Sequence, residues 1–444
     1  MKKLPVLFLG FIVLYSCTQK SDYEAFFKNP DVYAKSVYQL NSVVMNNGFS
    51  PVVASRNYLY ANVAAYEVIA AGDAAHYNSL AGQLNGLSAL PKPEAGKTIN
   101  YEFASLLAFW KIGQTVTFST TLTTGYVDSL KQLAKDHGMP DDIFTNSVQF
   151  ADTVAASIMA WSKKDHYKET RGMDRYTVMT DSVWRWIPTP PAYSDAMEPH
   201  WNYIRTLVLD SATEFAPPVP YKFNVTDVNS DYYKQVMQSK NAIDSLTDEQ
   251  KWIADFWDDN PFKLNVSGHL MFGTKKFSPP GHWMSITGIA AQKANADYNT
   301  TVYAFAKTSI ALFDAFIQCW TVKFTYNTVR PETVINKFFD QKWQPYLQTP
   351  PFPEYTCGHS TCSSAAAEAL TSVFGDNFSY TDTTELEFGI KSRSFSSFRA
   401  AAEENNWARF YGGIHFHPTC LESTKCGRAV GDLVVDRLKM KKNS

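Results

Sequence analysis

An all-α fold is the class this sequence predicts. Apolar residues recur at the three-to-four spacing of a helix over ten segments, while alternating strand patterns are scarce. Of the 444 residues 45% are hydrophobic, with 30 Phe, 24 Tyr and 11 Trp, which supplies a large core and excludes disorder along the whole chain. The helical pattern begins at Asp31–Met45 and Ser50–Ala71 and continues through Asn100–Thr115 and Pro140–Ser162. It resumes at Asp231–Ile243 and Glu249–Trp257, and Thr301–Phe324 is long and strongly apolar. Gly358–Phe374, Ser394–Trp407 and Thr419–Lys439 complete the set.

Between these helices, Tyr167 to Pro220 is rich in proline. Its Trp184, Trp186 and Trp201 need something to pack on, so it reads as a long ordered connection. A soft boundary there divides an N-terminal helical region, 18–225, from a C-terminal one, 226–444. A second Pro-rich loop runs from Gln341 to Tyr355.

The balance of 41 basic against 43 acidic side chains gives a net charge of -2, without the basic excess that nucleic-acid binding demands. No run of about 18 apolar residues occurs, which excludes a polytopic membrane protein. At the start, Lys2 and Lys3 precede an apolar stretch, Leu4 to Tyr15, closed by Leu14-Tyr15-Ser16-Cys17. This resembles a bacterial lipoprotein signal spanning 1–17. The resemblance implies export and a lipid anchor on Cys17 that ties the chain to a membrane surface, in the periplasm or on the outer membrane. Five cysteines follow: Cys319, Cys357, Cys362, Cys420 and Cys426. None forms a Cys-x-x-Cys pair, which argues against a zinc ribbon.

Nucleotide-type glycine loops, His-Glu-x-x-His and Gly-x-Ser-x-Gly are all absent. Three C-terminal segments carry the chemistry instead. In Lys323-Phe-Thr-Tyr-Asn-Thr-Val-Arg330-Pro331, the seven-residue spacing predicts that Lys323 and Arg330 share one helix face, with Pro331 ending or kinking that helix. In Thr356-Cys357-Gly358-His359, a Pro-rich loop passes into a small-residue helix whose N-terminus offers free N–H groups and a positive dipole end to an anion. In Arg409-Phe-Tyr-Gly-Gly-Ile-His415-Phe-His417-Pro418, two glycines permit close backbone approach. Read separately, each is also a plain helix end, capped helix or turn. Together they supply one Lys, two Arg, two His and a helix N-terminus, which is a site for phosphate or vanadate.

These segments resemble the three signature motifs shared by vanadium-dependent haloperoxidases and type-two phosphatidic-acid phosphatases. The match covers roughly the last 150 residues and implies the all-α helical bundles of that superfamily. It also implies that Lys323, Arg330, Arg409, the Gly358 N–H and the Cys357 position bind oxyanion oxygens. In a haloperoxidase, vanadate is the cofactor, His415 coordinates the metal and His359 acts as acid and base on hydrogen peroxide. In a phosphatase, His415 attacks a phosphate ester and His359 protonates the leaving alcohol. Trp320, three residues before Lys323, and Phe352, seven before His359, resemble the halide pocket of chloro- and iodoperoxidase-like sites. Phe277-Ser-Pro-Pro-Gly-His282-Trp283 looks like a stretch common in bacterial haloperoxidase-like proteins.

Three positions depart from the pattern. The family Ser before Gly-His is Cys357, the Ser before the motif Arg is Ala408, and the Asp four residues after the motif His is Thr419. Cys357 is oxidisable, and a Cys357–Cys420 bridge is one expectation. Thr419-Cys-Leu-Glu422 fits a helix capping box, and Glu422 is a candidate for the missing carboxylate. The leading expectation is therefore a haloperoxidase-like enzyme oxidising iodide or bromide with hydrogen peroxide. The alternatives are an acid phosphatase, or an oxyanion-binding lipoprotein without turnover.

Overall fold

The computed structural model of the chain describes residues 21–442 other than 268 and 269. The leader expected at 1–17, with Cys17, lies outside these residues. Polar caps set many of the helix starts. Asn29, Ser50 and Asn100 accept from backbone N–H groups to open α2 (Pro30–Asn46), α3 (Pro51–Gly72) and α4 (Tyr101–Val116), which follow the short α1 (Tyr23–Phe27). Next come α5 (Thr120–Asp136), α6 (Asp141–Ser162) and α7 (Tyr167–Thr170). Beyond the Pro-rich connection, Ser230 caps α8 (Asp231–Asp244), and Thr247 with Gln250 forms a capping box for α9 (Asp248–Phe256). A hairpin of β1 (Lys263–Ser267) and β2 (Leu270–Thr274) precedes α10 (Pro279–Lys293). Asp297 caps α11 (Tyr298–Tyr326), and α12 (Pro331–Phe338) and α13 (Gly358–Phe374) follow. A second hairpin, β3 (Tyr380–Asp382) with β4 (Arg393–Phe395), leads to α14 (Phe398–Tyr411) and α15 (His417–Arg437).

The fold is all-α, and each of the ten expected segments is a helix. Ser394–Trp407 starts late, at Phe398, because Arg393–Phe395 pairs with Tyr380–Asp382 instead. Two long helices, α5 and α10, and the shorter α1, α7 and α12 escaped the sequence reading. In α5 the run of threonines and Gly125 blurs the apolar period, and α10 opens on Pro279 and Pro280. Both prolines sit in the first helical turn, where they have no hydrogen bond to lose.

The helices α3 and α11 are buried nearly all round and pack on one another, with α13 lodged between α11 and α15. The approach of α15 to α13 needs a glycine. A Cβ on Gly427 would lie 2.0 Å from the Thr361 carbonyl oxygen. One apolar core takes in residues from both sides of 225, including Tyr60, Phe109, Trp201, Phe313 and Leu370. Trp186 and Trp201 of the Pro-rich connection are wholly buried, as their need for a packing surface anticipated, whereas Trp184 is 40% exposed. Among the described residues no helix is long and apolar enough to cross a membrane.

Candidate functional site

The site lies where α11, α13, α14 and the start of α15 meet, and the Pro-rich loop before α13 closes over it. Lys323 sits in the last turn of α11, wholly buried. Its Nζ donates to the carbonyls of Pro353 (2.8 Å), Glu354 (3.2 Å) and Thr356. Burial pushes the ammonium down to about 8, and the neighbouring Arg330 adds to that while the Cys319 thiol opposes it. Lys323 thus pins the loop and places a positive charge under the site.

Lys323 and Arg330 do not share a helix face. Asn327 takes a left-handed conformation (φ 52) and ends α11, and Arg330 is the extended residue before Pro331 that precedes α12. Arg330 is brought back by its side chain. Nε donates to the Phe352 carbonyl at 2.8 Å, and Nη1 donates to the Ile414 carbonyl at 2.7 Å and to His415 Nε2 at 3.0 Å. Burial lowers the guanidinium to about 10, where it is still charged at neutral pH.

His415 Nδ1 lies 3.0 Å from Glu354 Oε1, which also accepts the Phe416 N–H, while Oε2 accepts the Thr419 hydroxyl. With Arg330 donating to Nε2, His415 is the neutral tautomer with its proton on Nδ1 and its lone pair on Nε2. Glu354 therefore supplies the carboxylate, not Glu422, whose carboxylate pairs with Lys425 at 2.6 Å on the surface. Thr419 is not a helix cap either. It lies inside the first turn of α15, which starts at His417, and it serves Glu354. His417 stacks on Trp407 at 4.3 Å.

Cys357 is the residue before α13, and its N–H donates to Ser423 Oγ at 2.8 Å. The five described cysteines are all free and buried, so Cys357 and Cys420 are facing thiols rather than a bridge. Burial pushes the Cys357 thiol up, and the hydrogen bond from the facing Cys420 thiol opposes it. His359 stands in the first turn of α13 with 13% of its side chain exposed. Burial, with Arg409 and His415 beside it, holds its pKa well below the ordinary value. Its Nε2 has no hydrogen-bond partner and lies 3.9 Å from Asp259 Oδ2. Arg409, in the last turn of α14, donates Nη1 to the carbonyls of Trp257 (2.8 Å) and Asp258 (3.2 Å).

Trp320 and Phe352 do meet, with ring centroids 4.9 Å apart. The Phe352 ring lies 4.9 Å from Lys323 Nζ and 5.0 Å from the Arg330 guanidinium carbon, so the apolar wall is also a cation–π face. The Pro-rich connection reaches this wall. Trp320 Nε1 donates to the Met197 carbonyl at 3.1 Å, and the Met197 N–H donates to Pro351 at 2.9 Å.

The arrangement fits a tetrahedral oxyanion. Arg330 Nη2 and Arg409 Nε are buried donors without a partner, and His359 Nε2 is unpartnered beside them. The N-terminus of α13 adds free N–H groups. Sequence reasoning named every motif residue gathered here and missed Glu354 and Asp259. Neither belongs to a motif, and the only signal for Glu354 was its place in the loop five residues before His359.

The fold is shared with known proteins. The family model for the second helical-bundle domain of VCPO matches residues 303–342 and 338–443. The crystal structure of the first bacterial vanadium-dependent iodoperoxidase is 44% identical, covering 93% of this chain and 98% of that one, with a TM-score of 0.88. A bacterial vanadium-dependent chloroperoxidase is 18% identical in its holo and apo forms, over 88% of this chain and 94% of that one. Its TM-scores are 0.64 and 0.65. No curated protein matches the chain.

Proposed function

The chain belongs to the vanadium-dependent haloperoxidases, and from that premise we propose that it oxidises iodide, with bromide second, at the expense of hydrogen peroxide. The observation that carries the halide is the likeness to an iodoperoxidase at 44% identity over nearly the whole chain, combined with the Trp320–Phe352 wall. An aromatic wall without a second histidine suits a large, polarisable, weakly hydrated halide.

Vanadate, when bound, supplies a Lewis acid that activates peroxide without changing oxidation state. His415 Nε2 is the atom suited to hold it, since Glu354 keeps the proton on Nδ1 and fixes the orientation of the ring. Arg330 and Arg409 offer it their unpartnered N–H groups, and Lys323 contributes charge through the loop it pins. Burial and the nearby Arg409 disfavour the charged form of His359, so it is neutral at neutral pH. Its Nε2 takes the proton from incoming hydrogen peroxide and returns it as the hypohalous acid leaves.

Iodide oxidation by the purified chain, followed before and after adding orthovanadate, tests this reading. The expected result is turnover that requires vanadate and peroxide and falls in the order iodide, bromide, chloride. Equal turnover of chloride would overturn the halide assignment. Hydrolysis of a phosphate monoester without peroxide, with no halide oxidation, would overturn the peroxidase reading.

A further inference from the structure

A second buried histidine lies behind His359. His282, in the first turn of α10, has no exposed surface. Its Nδ1 is 2.7 Å from Asp259 Oδ1 and its Nε2 is 2.9 Å from Asp382 Oδ2. A ring with both nitrogens against carboxylate oxygens must donate from both, so it is an imidazolium. Burial opposes that charge, but the two carboxylates outweigh it and raise the pKa well above the ordinary value. Trp257 stacks on the ring at 4.7 Å, and Phe256 meets it edge-on.

The remaining charged groups facing His282 are Glu385, at 3.8 Å from Nδ1, and Lys276, at 3.7 Å from the far oxygen of Glu385. Burial pushes Glu385 up to about 8, so it keeps its proton at neutral pH. Two carboxylates, one imidazolium and one ammonium then balance. Asp259, His282 and Glu385 are close enough to share a metal ion, yet both imidazole nitrogens are already committed and an ammonium stands beside them. The cluster is ionic rather than a ligand set.

Its neighbour is the Trp257–Asp259 segment. The carbonyls of Trp257 and Asp258 hold Arg409, and Asp259 Oδ2 faces His359 Nε2. Asp259 has φ 44, a left-handed conformation that a non-glycine residue keeps only when its surroundings over-determine it. We propose that His282 is a positioning residue for the haloperoxidase reaction. Clamped between Asp382 and Asp259, it fixes the strained segment that orients Arg409 and His359. The rest of its motif braces the same corner. A Cβ on Gly281 would lie 2.3 Å from Asn41 Oδ1 and displace the amide that bonds α2 to the Gly281 carbonyl, and Trp283 Nε1 donates to Ser363 Oγ on α13 at 2.8 Å.

This inference rests on the haloperoxidase reading, and its test separates the two. Orthovanadate affinity by titration calorimetry and steady-state iodide oxidation are measured on the full chain and on His282→Gln. Glu67→Gln, a buried carboxylate at the far end of α3, is the control for general loss of stability. His282→Gln should bind orthovanadate more weakly and lose kcat by up to about 10²-fold, with KM for peroxide changing less. Glu67→Gln should lower only the melting temperature. If His282→Gln does not fold, Asp382→Asn, which frees one side of the ring, should shift both quantities the same way by less. Unchanged affinity and kcat in the folded variant would overturn the proposal, as would an equal loss in Glu67→Gln. A wild-type chain that neither binds orthovanadate nor oxidises iodide would overturn the haloperoxidase reading instead.

Discussion

His415 and His282 are both buried imidazoles beside carboxylates, yet they hold opposite charge states. His415 has one carboxylate, Glu354, on Nδ1, and an arginine on Nε2. His282 has a carboxylate on each nitrogen. One carboxylate fixes a neutral tautomer and leaves a lone pair for chemistry. Two carboxylates complete an ion triplet and leave nothing to react. His359 is a third case, with no carboxylate within hydrogen-bond distance of Nε2 and a depressed pKa. The reactivity of a buried histidine in this fold is set by how many carboxylates face it, more than by how deeply it lies.

Removing the reactive member should have the largest effect. His415→Ala should lose iodide oxidation by on the order of 10³-fold or more while keeping the helical circular dichroism of the parent. Retained activity would mean that the lone pair on Nε2 is not the one that matters.

Neutralising its partner comes next. Glu354→Gln leaves a hydrogen-bonding group of the same size but no longer dictates which nitrogen of His415 carries the proton. Orthovanadate affinity should fall by roughly 10–100-fold. An unchanged affinity would break the contrast at its root, because the carboxylate would then not govern the tautomer.

The smallest effect belongs to the unreactive cluster and reads out in stability. Glu385 is held protonated up to about 8 in the folded chain against an ordinary value of 4.5. Between these values the folded state carries a proton that the unfolded state has released, so this group's contribution is complete below 4.5 and is lost as pH rises toward 8. The span is on the order of 5 kcal/mol. Glu385→Gln should flatten the decline in melting temperature between about pH 5 and pH 8 relative to the parent. An identical decline in both chains would show that the proton sits elsewhere in the cluster.

The same contrast explains what the sequence made legible. The three motifs could be read because Lys323, Arg330, His359, Arg409 and His415 keep fixed local spacings within their segments. The helices could be read wherever a periodic apolar face persisted for several turns. The carboxylates could not. Glu354 reaches His415 across 61 positions, and Asp259 and Asp382 reach His282 across 23 and 100. Each acts through the tertiary fold, and no local pattern distinguishes it from any other acidic residue in a loop. Thr419 is the instructive near miss. It stands where the family has an acid, and the structure has it bonded to the acid that took over.

The strap from Tyr167 to Pro220 has a consequence for how such a pocket diversifies. It bonds to the halide wall through backbone, with the Met197 carbonyl on Trp320 and the Met197 N–H on Pro351. Trp184 and Trp186 likewise tie backbone to backbone at Val329 and Asn327. Exposed side chains along the strap, Met179, Val183 and Tyr193 among them, are thus free to vary while the seam holds and Trp186 and Trp201 stay fixed in the core. A lineage has here a place to accumulate insertions and exchanges that reshape the mouth of the cavity, leaving the residues that grip the oxyanion untouched.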